Sequence, residues 1–367
     1  MGKRGGRRWI RLLLDILCVV SAVSLLLSYF APYTHPDSFA IIPVFGLAYP
    51  VIVLVFIGVM IAQFFFRRWS AIAMLALLIS GSGLHFRTFT LGGGDEPPRN
   101  ASSLKVMSYN VRLFDFYNDD PKEAQKSRRK ILKFLKEESP DIVCFQEFYH
   151  QDRPTKFVTK DTIITLLGMT DYQERYTHVE RGRRNYGIAL FSKYPIIEKG
   201  EVRFDSDLRS FNYSIYSDIV FKKDTIRVYN VHLQSISLDS EERAALVNEG
   251  SESGFFDAME KVIEAFPERA KQANRLIKHI QKSPYPVIVC GDFNDTPLSY
   301  TYQRFHNHLT DAYRNCRMGI GKTYAGEIPA GRIDYIFHSE SLGSHKFKIQ
   351  DEALSDHYAI SCKVFVK

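Results

Sequence analysis

The sequence predicts an α/β fold, a domain of mixed β-sheet and helices preceded by about three transmembrane helices. Three features lead there. The first hundred residues hold three long apolar stretches, the region from Leu104 onward alternates strand-length apolar runs with amphipathic segments, and polar residues recur where those strands end. With 367 residues and 45% hydrophobic content, the chain has room for two domains and material for a full core.

The apolar stretches place spans near residues 9–31, 39–66 and 71–91, within an anchor of residues 1–91. The first two are comfortably long enough to cross a hydrocarbon core of about 30 Å. The third is short. It carries Ser80, Gly81, Ser82, Gly83 and His85, and it reaches spanning length only by running through Arg87 to Leu91. The leader MGKRGGRR also suits a secretory signal, but two further apolar segments follow and no small-residue cleavage site closes the first, so a retained anchor is expected. Asp15, one turn after Arg11, reads as a paired or snorkelling charge.

Basic residues set the expected topology. Lys3, Arg4, Arg7 and Arg8 precede the first span, Arg67 and Arg68 follow the second, and residues 33–38 contain no Lys or Arg. The positive-inside rule puts both basic ends in the cytoplasm. Three crossings then make an integral, multi-pass membrane protein whose catalytic domain lies on the extracytoplasmic side.

The net charge of +7 would suit a nucleic-acid binder, but its distribution argues otherwise. Residues 101–367 carry 39 basic and 37 acidic side chains, so this part is only +2. No broad electrostatic footprint for a polyphosphate backbone is present. Of the five cysteines, Cys18 lies in a span, Cys144, Cys290 and Cys362 lie in apolar strand-like runs, and none forms a C-x-x-C pair with another or with Cys316. Buried free thiols are expected, without a disulfide framework or a zinc knuckle.

Residues 92–103, GGGDEPPRNASS, read as a linker, and residues 104–367 as the catalytic domain. Its first strand, KVMSYNV, alternates Val106, Ser108 and Asn110 with Met107, Tyr109 and Val111. An amphipathic helix over 122–136 and the turn at Pro140 lead to a buried strand over 142–145, with Glu147 at its exit. GIALFS at 187–192 is a further strand. The alternating runs 213–221 and 225–233, separated by Lys222, Lys223 and Asp224, read as a hairpin. Residues 238–280 read as mainly helical with an interruption near Gly250 to Gly254, and RIDYIFH and residues 359–366 supply the last two strands. Hairpins joining some strands and helices joining others imply a mixed sheet.

Residues 286–297, PVIVCGDFNDTP, hold the densest group of candidate site residues. Val287 to Cys290 have the unbroken apolar pattern of a strand buried on both faces, and Gly291 ends it. Asp292 and Asn294, two residues apart at its mouth, suit oxygen ligation of a hard cation such as Mg²⁺ and equally suit an Asx-type turn. The same two readings apply singly to Asn110, Glu147, His232, Asp334, Asp356 and His357, each at a strand end. Together they provide carboxylates and amides for a cation and two imidazoles for proton transfer near neutrality, the inventory that phosphoester hydrolysis needs.

MSYNVR, the Gln146-Glu147 pair, GIALFSKYPI, YNVHLQS, GDFND, RIDYIF and SDHYAI occur in that order. In order and rough spacing the set resembles the endonuclease/exonuclease/phosphatase superfamily, which includes DNase I, abasic-site endonucleases, bacterial sphingomyelinases and inositol phosphate phosphatases. The resemblance covers roughly residues 104–367 and implies a DNase I-like four-layer α/β sandwich of two mixed sheets flanked by helices. By motif it implies Glu147 as the principal Mg²⁺ (or Mn²⁺) ligand, with Asn110 near the metal and Asp356 a further ligand. Asp292 and Asn294 match the residues that position or deprotonate the attacking water and hold the phosphate. His357 matches the histidine that contacts the scissile phosphate, Asp334 the carboxylate that orients it, and His232 a proton donor or phosphate contact. The general base is then either Asp292 or the Asp334–His357 pair. Arg112 departs from the pattern, because some abasic-site nucleases carry Asp there; it reads either as a phosphate contact or as a solvent-exposed strand residue.

The expected activity is metal-dependent hydrolysis of a phosphodiester or phosphomonoester. Tethering to a lipid bilayer favours a lipid headgroup, with a small phosphoester or nucleic acid as other substrates; a membrane-tethered nuclease is the alternative, and a non-catalytic binding member is disfavoured by the complete set. Basic residues that would serve a nuclease are limited to Arg181, Arg183, Arg184 and the region 122–130. The apolar residues Phe255, Phe256, Met259, Val262, Ile263 and Phe266 suit a core-facing helical stripe, or a lid or membrane-touching helix within residues 236–267.

Overall fold

A computed structural model describes residues 2–99, 101–118, 120–155, 157–204, 212–236, 238–247, 251–326 and 331–367. The leader side chains of Lys3, Arg4 and Arg7, and Gly250 of the expected helix interruption, lie outside the described residues. The chain divides into two compact units, Met1–Phe89 with Asp295–Gln303, and Thr90–Asn294 with Arg304–Lys367.

The first unit contains α1 (Gly2–Phe30), α2 (Ile42–Leu47), α3 (Tyr49–Phe66), α4 (Arg68–Ser80) and α5 (Ser82–Thr88). Two stretches, Arg8–Phe30 and Tyr49–Phe66, are long and apolar enough to cross a membrane, and α4 with α5 form a pair bent by 64° that would make a third if it is one broken span. Their outer faces are apolar: Trp9, Val51, Leu54 and Phe65 are all exposed, while Val53, Phe56 and Val59 face inward. Such an inverted pattern suits lipid rather than water. Asp15 pairs not with Arg11 but with Arg67, at 2.9 Å, and Gln63 Nε2 donates to Asp15 Oδ1 at 3.3 Å. The third apolar segment ends its helix at Thr88, and Thr90–Leu91 form a strand instead.

The second unit holds β1 (Thr90–Leu91), β2 (Leu104–Asn110), α6 (Pro121–Glu138), β3 (Ile142–Gln151), α7 (Thr159–Leu167), β4 (Asp171–Glu180), β5 (Arg184–Ser192), β6 (Ile196–Val202), β7 (Tyr213–Phe221) and β8 (Asp224–His232). It continues with α8 (Ser240–Leu246), α9 (Glu252–Ile280), β9 (Val287–Asp292), α10 (Tyr300–His306), which begins in the first unit, β10 (Thr310–Asp311), α11 (Ala312–Cys316), β11 (Met318–Gly319), β12 (Asp334–His338), β13 (Leu342–Ile349) and β14 (Ile360–Val366). Two six-stranded mixed sheets result, ordered β10-β12-β9-β8-β7-β6 and β13-β14-β2-β3-β5-β4, and β1 pairs separately with β11.

Alternation in the strands builds the layers. Val106, Cys144, Leu190, Ile215, Val228, Cys290 and Ile336 join one buried cluster contributed by both sheets. Met107, Tyr109, Val143 and Phe145 turn to the opposite face of their sheet, where they meet Ile131 and Leu135 of α6 and Ile163 and Leu167 of α7. α9 covers the other sheet, with Tyr229 of β8 hydrogen-bonded to His279 at 2.9 Å. The result is an α/β sandwich of two mixed sheets with helices outside. In α9, Val262 and Phe266 are buried and Phe255 and Phe256 are exposed, so the apolar stripe faces the core along most, but not all, of its length. The cysteines are free; Cys144, Cys290 and Cys362 are buried, and burial pushes the Cys290 and Cys362 thiols well above their ordinary range.

Candidate active site

Strand register assembles the site. β8 and β9 run parallel with His232 opposite Asp292, and β9 and β12 run antiparallel with Asp292 opposite Asp334. Three candidate site side chains, His232, Asp292 and Asp334, therefore stand in a row across three adjacent strands. Gly291 makes this pairing work, because a Cβ there would lie 2.0 Å from the Val231 carbonyl oxygen. On the facing sheet, β2 and β3 run parallel with Asn110 opposite Gln146.

Asp292 Oδ2 is where the two sheets meet. It accepts a hydrogen bond from Asn110 Nδ2 at 3.0 Å, and the same amide donates to Glu147 Oε1 at 3.1 Å. His357 Nε2 lies 3.6 Å from that oxygen and His232 Nε2 lies 3.7 Å from it. The buried His232 Nε2 has no hydrogen-bond partner among the described residues. Asp292 Oδ1 accepts from the Asn294 backbone N–H at 2.9 Å, an Asx turn, while Asn294 Nδ2 donates to the Leu233 carbonyl at 3.0 Å. The turn and site readings of this stretch thus coexist in one geometry.

His357 Nδ1 donates to the Asp334 carboxylate, 3.0 Å from Oδ2. Burial alone would lower the imidazole pKa, but Asp334 and then Asp292 raise it to about 10. Burial pushes the Asp334 carboxyl up in turn. The pair therefore holds a proton at neutral pH. Thr323 Oγ1 accepts from the Ile333 and Asp334 backbone N–H groups at 3.0 and 3.1 Å, and Tyr324 packs edge-on against the His357 ring at 5.2 Å.

Asp356 joins the site through Ser355, whose single hydroxyl proton is shared between the Asn110 carbonyl at 3.0 Å and Asp356 Oδ1 at 3.1 Å. Arg112 Nε lies 3.5 Å from Asp356 Oδ2, and the guanidinium is more than half exposed. Arg112 is not on a strand: residues 112–115 all have φ between +43° and +60°. Left-handed backbone costs a non-glycine residue roughly 1–2 kcal/mol, and such strain concentrates at functional sites. Glu147, at φ +48° in a bulge of β3 between Phe145 and Phe148, and Asn294, at φ +51°, share that conformation.

All eight predicted residues thus gather at one end of the two sheets, linked through Asn110, Asp292 and Ser355. Asp292, Asp334 and His357 each bring one ligand atom within 4.8 Å of the others. That trio differs from the expected Glu147, Asn110 and Asp356, and its imidazole is already committed to Asp334 through Nδ1. The oxygen-rich set is the better match for a hard cation. Four carboxylates, Glu147, Asp292, Asp334 and Asp356, against the His357 imidazolium and the Arg112 guanidinium leave the site with an excess of negative charge, which also fits a divalent ion.

Sequence reasoning missed the supports. Gln146 Nε2 donates to Asn230 Oδ1 at 2.6 Å, and Asn230 Nδ2 donates to the Phe145 and Ala189 carbonyls at 2.9 Å, so a polar staple joins the sheets beside the site. Two amides in otherwise apolar strands were its only signal. Thr323 and Tyr324 had none, because their partners lie far along the chain.

A family model described as the endonuclease/exonuclease/phosphatase family matches residues 107–357, from β2 to His357. The chain belongs to this family. Members of the endonuclease/exonuclease/phosphatase family are hydrolases acting on phosphoester bonds and generally use divalent metal ions, and this chain is an enzyme of that class. Residues 10–88 match a model described as a domain of unknown function. No significant match is found among curated proteins.

Solved structures of the family share the fold. One from Bacteroides vulgatus is 18% identical with a TM-score of 0.53, over 72% of this chain and 100% of that one. One from Bacteroides thetaiotaomicron is 18% identical with a TM-score of 0.51, over 73% and 96%. The human Nocturnin catalytic domain, solved with a bound sulfate anion, is 19% identical with a TM-score of 0.50, over 72% and 95%.

Proposed function

We propose that the protein is a membrane-anchored, Mg²⁺-dependent phosphoesterase that hydrolyses a phosphoester, a lipid headgroup being the favoured class, by in-line attack of water. The observation that carries the reading is the convergence on Asp292 Oδ2 of Asn110 at 3.0 Å, His357 at 3.6 Å and His232 at 3.7 Å. Glu147, Asn110 and Asp356 would hold the ion, which supplies charge neutralisation for phosphate oxygens when bound. In this reading Asp292, fixed by Asn110 and by the Asn294 backbone, takes the proton of the attacking water. His357, kept charged by Asp334, binds the scissile phosphate, and His232 protonates the leaving group.

A lipid substrate is favoured over a nucleic acid because the candidate basic tracts are engaged. Arg184 pairs with Glu180 at 3.2 Å, and Arg183 donates to the Asp152 and Pro154 carbonyls. On α6, Lys126 pairs with Glu123 and Lys130 with Glu352. The apolar outer faces of α1 and α3 support anchoring in a bilayer. Basic residues at one end of both helices favour an extracytoplasmic catalytic unit if α4 and α5 complete a third crossing, which a reporter fused after Ser103 would read.

The full chain in lipid nanodiscs should be given sphingomyelin, phosphoinositides, a simple phosphomonoester, a simple phosphodiester and plasmid DNA. Turnover of a lipid above the plasmid supports the reading. Plasmid nicking well above every lipid would replace it with a tethered nuclease.

A further inference from the structure

We infer that the two-stranded ribbon of β1 and β11 is a second membrane contact, a small apolar face that enters the boundary between lipid headgroups and acyl chains. The inference rests on the membrane anchoring proposed above. Register pairs Leu91 with Met318 directly, so their side chains lie on one face, and Ile320 follows one residue after the end of β11. Leu91 is 64% exposed, Met318 75% and Ile320 50%. Two large apolar side chains facing out from a two-stranded ribbon, with a third exposed just past its end, are not explained by burial in the core.

Chain connectivity supplies the occupant. Only Phe89 separates the end of α5 at Thr88 from the start of β1 at Thr90. At roughly 3.5 Å per residue, Leu91 cannot be farther than about 10 Å from the end of the last apolar helix. A bilayer holding that helix therefore has its surface within reach of the ribbon. Arg317 and Lys322, both exposed, flank the apolar face, the combination of apolar insertion and basic rim that binds an anionic lipid surface.

The ribbon is also built to keep its shape. Thr90 Oγ1 shares its proton between the Arg317 carbonyl and the Gly319 carbonyl, the latter at 3.1 Å. Gly92, at φ +68°, lets the chain leave β1 so close to Arg317 that a Cβ would fall 2.7 Å from its carbonyl carbon. Past β11, four residues carry the chain from Ile320 to Tyr324, which packs on His357. Four residues span at most about 14 Å, so lipid touching the ribbon is close to the Tyr324–His357 wall of the site. An enzyme held this way would meet its phosphoester at the bilayer surface.

The test uses the full chain in vesicles of phosphatidylcholine and phosphatidylglycerol brominated near the headgroup end of the acyl chains. The chain has two tryptophans, Trp9 and Trp69, both in the first unit, and their quenching reports whether the anchor is in the bilayer. Met318→Trp, at an exposed position that folding does not depend on, adds a reporter on the ribbon. Both the native pair and the added Trp should be quenched, the added emission by about half or more. Quenching of the native pair with an unquenched Trp at 318 overturns the ribbon contact and leaves the anchor standing. Absence of quenching for the native pair overturns the anchoring and the ribbon contact together.

Discussion

The Nε2 atom of His357 lies 3.6 Å from Asp292 Oδ2 while its Nδ1 faces the Asp334 carboxylate at 3.0 Å. One imidazole thus stands between two buried carboxylates, and that arrangement decides its charge. Asp334 and Asp292 favour the imidazolium, against the opposing effect of burial, and raise its pKa to about 10. A cationic His357 cannot accept a proton, which is why the proposed mechanism gives the role of base to Asp292.

The pH dependence follows from that direction. In the folded protein the charged form persists through neutrality and is lost as pH rises through the raised value near 10, so the stability it contributes is fully present below the ordinary histidine value of 6.5 and gone above the raised one. Hydrolysis should fall on the alkaline side, and Asp334→Asn, which removes the carboxylate that most favours the imidazolium, should move that limb to lower pH. A pH–rate profile of both proteins checks it, with kcat of the variant reduced about 10²–10⁴-fold.

Glu147→Gln keeps shape and hydrogen-bonding capacity but removes a charge from the proposed ion site. The Mg²⁺ concentration for half-maximal rate should rise about 10-fold or more, with unfolding in denaturant unchanged within about 0.5 kcal/mol. Titration of rate against Mg²⁺ reads this directly.

Gly291→Ala tests the register. Its methyl group would meet the Val231 carbonyl at 2.0 Å, in the pairing that sets His232 beside Asp292. Overpacking of this kind costs about 1–3 kcal/mol and shifts backbone, so both the denaturation midpoint and kcat should fall.

Asp218, buried in β7, accepts two hydrogen bonds from Arg227 of β8, at 2.6 and 2.7 Å. Asp218→Ala leaves the buried guanidinium with only the more distant Glu198 carboxylate, 3.9 Å away, as an ionic partner. Stability should drop by about 3–5 kcal/mol, measured by denaturant unfolding of the full chain in detergent, while the metal dependence of the remaining activity is unchanged.

Much of this was legible in the sequence because it depends on local pattern. Alternation at residues 105–111 put Val106 and Met107 on opposite faces, and the structure assigns them to different clusters. The hairpin at 213–233 followed from its short polar turn and forms with Tyr213 opposite His232. What the sequence could not show arises from contacts across the chain. The left-handed turn at residues 112–115 contains no glycine to mark it, and Arg112 pairs with Asp356, 244 positions away. Asp15 faced a local candidate in Arg11, yet helix packing gave it Arg67. The bend of 64° between α4 and α5 follows from the Gly81 region, where composition indicated only a short segment.

The most direct test of the central claim is the rate of phosphoester hydrolysis by the full chain in nanodiscs, before chelation, after chelation, and after return of Mg²⁺. Turnover should fall to background with chelator and recover with the ion, and Asp292→Ala should stay at background throughout while retaining its fold. Undiminished turnover in chelator, or a full rate from Asp292→Ala, would contradict the account.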